Sequence, residues 1–255
     1  MNIFNFDQTF EGLLTLIFES YRLKLFPDVI LGRGENQSFL FSYPVFIPTE
    51  SEKAGRVWKK IIEKTSQTNG NRIYIAFQSE LPGTPKLIYD YIRLMTDTQQ
   101  SIETDFTLPL VLEVTRLFNK VAKETARVRM FTRFQLTSEN SYYASVMPEY
   151  DVLPLCIHHF TDRFADQEWM IYDLKRDYGF YYNLIETERI SFEKLPVNPV
   201  NGQLYEAFHN PEEKQFQKLW KNYFDTICIK ERKNYKLHRQ MLPRRFWRYL
   251  PEKNG

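Results

Sequence analysis

Residues 169–184 read Trp-Met-Ile-Tyr-Asp-Leu-Lys-Arg-Asp-Tyr-Gly-Phe-Tyr-Tyr-Asn-Leu. Two β-rich runs, Trp169–Leu174 and Phe180–Leu184, flank a polar Arg176-Asp177-Tyr178-Gly179 turn, the pattern of a hairpin. Upstream, Thr132–Leu136 and Tyr142–Met147 repeat it around Ser138-Glu139-Asn140, and Glu188–Phe192 offers a third strand beyond. Hairpins, rather than regular strand–helix–strand units, predict an α+β fold with an antiparallel sheet.

Amphipathic helices surround these strands. After a short strand at Ile3–Phe6, Thr9 caps a helix that buries Phe10, Leu13, Leu14, Ile17 and Phe18 and stops before Pro27. Residues 29–48 alternate loosely, as short strands or an extended arm. Thr49 or Ser51 opens a helix that runs to Lys64; Thr65–Arg72 reads as a polar turn, and Ile73–Phe77 as a strand or the first turn of a helix. Helices follow at Lys86–Met95, Pro109–Met130 and Val152–Phe164. The longest shows one apolar face of Leu110, Val114, Leu117, Val121 and Val128. Residues 194–204, rich in Pro, Asn and Gly, read as a linker between an α+β body (1–193) and a C-terminal helical extension packed on it (205–255). The extension opens with a helix, Pro211–Ile229, whose Phe216, Leu219, Trp220, Tyr223, Phe224 and Ile227 form a face suited to burial.

A chain of 255 residues can bury one large core or two small ones. Nine glycines, with no G-x-x-x-x-G-K-[ST], argue against a glycine-built nucleotide site. G-x-S-x-G, H-E-x-x-H and a helix–hairpin–helix glycine pattern are also missing. Two cysteines, Cys156 and Cys228, rule out an all-cysteine zinc site or four-thiolate cluster within the chain, and both sit in apolar surroundings that suit buried free thiols. No cofactor or metal is expected. No apolar run approaches about 18 residues, and no signal-peptide layout opens the chain, so a cytoplasmic protein without a membrane contact is expected.

Charge is unevenly placed. Residues 230–255 hold nine Lys/Arg against two Asp/Glu, whereas residues 1–229 hold 25 against 30. Between Lys230 and Arg248, Tyr235, Phe246 and Trp247 sit among the cations. Cations that neutralise phosphates release counterions, and aromatic faces stack on bases. Arg244, Arg245 and Arg248 are therefore candidate phosphate ligands, with Phe246 or Trp247 packing or stacking; the alternative is that the arginines anchor the segment to the acidic body. A second basic surface lies on the long helix, where Arg116, Lys120, Lys123 and Arg127 fall within roughly 60° of arc. Arg129 and Arg133 extend it, and Glu113 and Glu124 border it.

The densest group of reactive side chains is His158-His159, followed by Asp162, Arg163, Asp166 and Glu168. On a helix, His158 meets Asp162 and His159 meets Arg163. A histidine held by a carboxylate can act as a general base, which makes His159 with Asp162 or Asp166 the candidate catalytic set. The competing reading is structural: polar side chains pinning a helix to a hairpin. Asp7 reads as a capping residue, and Asp177 and Gly179 as turn residues.

Four stretches carry a family resemblance: Asp7-Gln-Thr-Phe-Glu-Gly-Leu-Leu14; Met130-Phe-Thr-Arg-Phe-Gln135; His159-Phe-Thr-Asp-Arg-Phe-Ala-Asp-Gln-Glu-Trp169; and Glu231-Arg-Lys-Asn234 with Leu242-Pro-Arg-Arg-Phe-Trp-Arg-Tyr-Leu-Pro-Glu252. In these the chain resembles a bacterial family labelled "probable DNA metabolism protein", a domain of unknown function. Its members accompany a radical-SAM protein assigned to DNA modification or repair, and in some a similar domain is fused to a uracil-DNA-glycosylase-like domain. The resemblance implies a DNA-repair or DNA-modification setting and a radical-SAM partner. It carries over no catalytic residue, and the glycosylase portion is not part of this sequence.

Three functions are thus in view: a DNA-binding protein working beside a radical-SAM enzyme; a nuclease, lyase or glycosylase-like enzyme using His159; and a non-catalytic interaction module. A protein that neutralises about six phosphates loses roughly a thousandfold in affinity between about 50 and 200 mM salt.

Overall fold

The computed structural model describes residues 1–32, 44–227 and 234–253. The chain divides into two compact units, residues 1–123 and 124–255. Cys228 and the Lys230–Lys233 part of the basic segment lie outside the described residues.

The first unit opens with β1 (Ile3–Asn5), the central strand of a small sheet with β2 (Val29–Ile30) and β3 (Val45–Phe46) on either side. Both pairings are parallel. Helices α1 (Phe10–Leu23), α2 (Ser51–Lys64), α3 (Gln67–Phe77) and α4 (Thr84–Asp97) pack around a core that includes Phe4, Leu13, Leu16, Ile61, Ile73 and Ile88. Thr9 caps α1 by accepting the Gly12 N–H at 2.9 Å. Asp7 braces the cap: one carboxylate oxygen takes the Thr9 N–H and hydroxyl, and the other takes the Thr49 hydroxyl at 2.6 Å. Lys24, left-handed at φ 54°, ends the helix before Pro27.

α3 corrects the sequence reading, which placed a polar turn over most of it. Asn and Gly lower its intrinsic propensity, but tertiary contacts override that. Ser66 caps its start, the buried Asn69 amide bonds the Tyr91 hydroxyl, and Ile73 and Ala76 enter the core. Gly70 lets α2 approach, since a Cβ there would lie 2.5 Å from Ile62 Cδ1 and 2.9 Å from a Trp58 ring carbon.

α5 (Pro109–Phe131) starts in the first unit and ends in the second. Val111, Val114, Val121 and Val128 are buried along it.

The second unit is built on a five-stranded sheet of order β4-β5-β6-β7-β8: Gln135–Leu136, Tyr142–Val146, Trp169–Asp173, Tyr178–Tyr182 and Thr187–Ile190. Three of its four pairings are antiparallel, as the hairpin patterns predict. The fourth corrects the all-antiparallel expectation. β5 and β6 run parallel, with Tyr142 opposite Trp169 and Ala144 opposite Ile171. A parallel pair needs a crossover, and α6 (Leu153–Arg163) supplies it. With the parallel sheet of the first unit, the fold is α+β with mixed strand directions.

Alternation sorts the tyrosines: Tyr143, Tyr178 and Tyr182 are buried, while Tyr142 and Tyr181 are half-buried. The 194–204 stretch lies within the second unit. Val197 and Leu204 bridge each other and are buried against Tyr143 and Tyr172. Helices α7 (Glu213–Ile227), α8 (Tyr235–Met241) and α9 (Arg244–Trp247) follow. Leu242, Phe246 and Leu250 return to the core, Leu250 with no exposed surface.

Candidate nucleic-acid interface

The cations singled out in the sequence divide into two groups. The first is held within the second unit, chiefly by the buried carboxylates of Glu124 and Glu252. Glu124 on α5, only 1% exposed, receives Arg245 of α9 and Arg127 at 3.4 Å, and it takes the Glu149 N–H at 3.0 Å. Arg127 also donates to the Gln240 carbonyl, and Arg245 lies 3.6 Å from the Glu149 carboxylate. Arg133 donates to Glu252 at 2.9 Å; the other oxygen of that buried carboxylate accepts the Trp220 indole N–H. Arg248 reaches the Arg245 carbonyl and the Met147 sulfur.

The sequence places Glu124 at the border of the basic stripe. It lies about 60° from Val121, on the flank of the apolar stripe, and α9 covers it. The aromatic residues follow the same logic. Phe246 is 5% exposed and packs on Phe131 with ring centroids 5.7 Å apart. Trp247 is half-buried and donates its N–H to the Leu242 carbonyl. Leu242, Arg245 and Phe246 of the basic segment are therefore seated on their own unit, whereas Lys236 and Arg239 on α8 are exposed. Arg244 is exposed as well, with its guanidinium 5.8 Å from the Trp247 ring centre.

The second group is Arg116, Lys120 and Lys123, all exposed on α5 within the first unit. No acidic side chain lies within ion-pair distance of them among the described residues. They keep the spacing of a stripe that can follow a phosphate backbone.

The histidine cluster is arranged differently from its candidate chemistry. His158 and Asp162 pair at 3.2 Å, both well exposed. His159 lies half-buried against Phe160, with ring centroids 5.4 Å apart. Desolvation holds its pKa below the ordinary value, and the positive charges of Arg129 and Arg163 add to that. Asp166 is exposed beyond the end of α6. The structure thus brings Asp162 to His158 rather than to His159. Among the described residues, no group of three His, Cys, Asp or Glu is placed to hold a metal ion. Cys156 is buried, and burial pushes its thiol up to about 12, so it is a poor nucleophile at neutral pH.

The sequence reading missed two features. One is a buried polar network at the β6–β7 turn. Asp173 is fully buried, pairs with Arg176 at 2.8 Å and accepts the Lys175 N–H, while burial raises its pKa. Arg176 also donates to the Pro148 carbonyl, and the Tyr178 hydroxyl to Asp151. The Asp173–Arg176 spacing was the available signal.

The other is on α7. Its apolar face was expected to be buried, yet Phe216, Leu219, Tyr223 and Ile227 are each more than half exposed. The buried side is rotated toward Glu213, which is 6% exposed and accepts the Leu136 N–H. A groove of about 600 Å³ runs between Phe216, Leu219, Trp220 and Tyr223 on one side and Phe134, Leu136 and Tyr142 on the other.

These features define an α+β protein in which Arg245 and Phe246 anchor the end of the basic segment, while the stripe on α5 has no acidic partner among the described residues. The chain belongs to the family described as a domain of unknown function, DUF4130, whose profile matches residues 82–252. No curated protein matches the chain, and no solved structure does. No helix among the described residues is long and apolar enough to cross a membrane.

Proposed function

We propose that the chain is a cytoplasmic DNA-binding protein of repair or modification that works beside a radical-SAM enzyme, meeting phosphates through Arg116, Lys120 and Lys123. The observation that supports this is the exposed three-cation stripe on α5, which meets no acidic side chain among the described residues. Arg127, Arg133 and Arg245 are committed to buried carboxylates, so the reading rests on three phosphate contacts rather than six. Three contacts correspond to a slope near −2.7 in log affinity against log salt, or about a fortyfold loss between about 50 and 200 mM. Fluorescence anisotropy with a DNA duplex over that range tests it. Replacing Lys120 and Lys123 by Ala lowers the slope by about two. Salt-independent affinity, or a slope unchanged in that variant, defeats the proposal.

The exposed apolar face of α7 favours a second reading, a module that binds another protein. Large exposed apolar patches mark interaction sites. Under this reading Leu219→Asp or Tyr223→Asp abolishes nuclease-resistant co-purification with the co-expressed radical-SAM protein. Undiminished recovery of the complex rules that surface out.

A further inference from the structure

The first unit holds a small open cavity of about 280 Å³ between α1, α2 and α3. Its walls include Phe10, Trp58 and Tyr74. Phe10 meets Trp58 at 5.9 Å and Tyr74 at 5.3 Å between ring centroids, both edge-to-face. Glu11 also lines the cavity, with one carboxylate oxygen taking the Ser51 hydroxyl at 3.2 Å. Among the described residues no Lys or Arg pairs with Glu11.

Gly55 supplies an independent observation. It lies inside α2, where glycine costs about 1 kcal/mol relative to alanine. A Cβ at this position would meet nothing within 4 Å. Packing within the protein does not require a glycine here, whereas Gly70 is required by its neighbours. Gly55 is exposed and lines the same cavity, on the helix face it shares with Ser51 and Trp58, so a leucine there is placed to cover part of the mouth.

We infer that this cavity binds an organic cation: a methylated or quaternary ammonium, or a guanidinium, seated among Phe10, Trp58 and Tyr74 and paired with Glu11. Aromatic rings attract such cations through their quadrupoles, and at a site as exposed as this one the attraction is on the order of 0.5–1 kcal/mol. The Glu11 carboxylate at the rim favours a cation over phosphates and other anions. The volume falls just below the range for drug-sized ligands and suits a small head group. The same chemistry is offered by a free quaternary amine and by a modified lysine or an arginine on a protein partner. The site is separate from the α5 stripe and does not depend on the DNA reading.

Titration of the full chain by NMR, with indole N–H signals assigned, distinguishes the possibilities. Tetramethylammonium chloride is expected to shift the Trp58 signal saturably, and tert-butanol, its uncharged counterpart in size, is expected to bind at least tenfold more weakly. A short peptide carrying trimethyl-lysine, run against its unmodified form, tells a protein-borne cation from a free one. Tighter binding of the modified peptide than of tetramethylammonium assigns the site to a partner chain; equal or weaker binding assigns it to a free amine.

Glu11→Gln weakens binding at least fivefold. Gly55→Leu removes it without lowering the melting temperature, because leucine is the better helix former. Equal binding of tert-butanol, full binding by Gly55→Leu, or no saturable shift at Trp58 overturns the inference.

Discussion

Replacing Arg245 by alanine tests whether the C-terminal arginines anchor the chain. The change leaves Glu124, 1% exposed, with only Arg127 at 3.4 Å and the Glu149 N–H at 3.0 Å. Breaking a buried ion pair by deleting one partner costs about 3–5 kcal/mol. Arg245 keeps 30% of its side chain exposed, so water can partly replace it and the lower end, about 3 kcal/mol, applies. At roughly 2–4 °C per kcal/mol for a chain of this size, the second unit should melt about 6–12 °C lower. Urea titration followed by tryptophan fluorescence in a Trp58→Phe background reads this unit alone, since Trp169, Trp220 and Trp247 all belong to it. Arg244→Ala is the matched control; its side chain is exposed, and the change should stay within about 0.5 kcal/mol. Adding Glu124→Gln to Arg245→Ala should recover part of the loss, because the buried negative charge is removed while an amide oxygen still accepts from Arg127 and the Glu149 N–H. A loss below about 1 kcal/mol for Arg245→Ala, or a double variant weaker than the single, refutes the anchor.

Phe246→Ala removes a buried ring packed on Phe131 and should cost about 3–5 kcal/mol in the same titration. Gly202→Ala should cost about 2 kcal/mol: the residue sits at φ 69° and a Cβ would lie 2.6 Å from the Tyr249 ring; thermal melting of the variant checks it. Glu19 is held below its ordinary pKa of 4.5 by Arg22 and Lys53. Its contribution to the first unit is therefore complete above about pH 4.5 and fades as pH falls through the lower folded value. Melting the wild type and Glu19→Gln between about pH 3 and 7 should show the gap between them closing toward acid.

The hairpins, the Thr9 cap and the α5 stripe were legible because each rests on local chemistry: turn residues, a side chain reaching three residues ahead, apolar spacing. The direction of β5 against β6 was not. Strand, helix and strand appear in order at 142–147, 152–164 and 169–174, yet local pattern does not tell a crossover from two hairpins. α3 was missed because its Asn and Gly serve tertiary contacts with Tyr91 and with α2. The α7 face was misjudged because apolar periodicity says which residues share a side, not which neighbours cover it. Glu124 and Arg245 lie 121 residues apart, and no sequence window joins them. The Gly55 cavity left no mark in the sequence either, since a helical glycine looks the same whether it admits a neighbour or leaves a space.

Leu250, with no exposed surface, and Glu252, holding both Arg133 and Trp220, bear on how the protein is made. Synthesis runs from the N-terminus at about 5–20 residues per second. The first unit has its whole chain by residue 123. The second cannot seal its interior until residue 250 has emerged, so its sheet and the Glu124 carboxylate wait for their last partners. Over that interval a partly built core faces solvent, and a stalled or clipped chain lacking residues 244–252 would stay open.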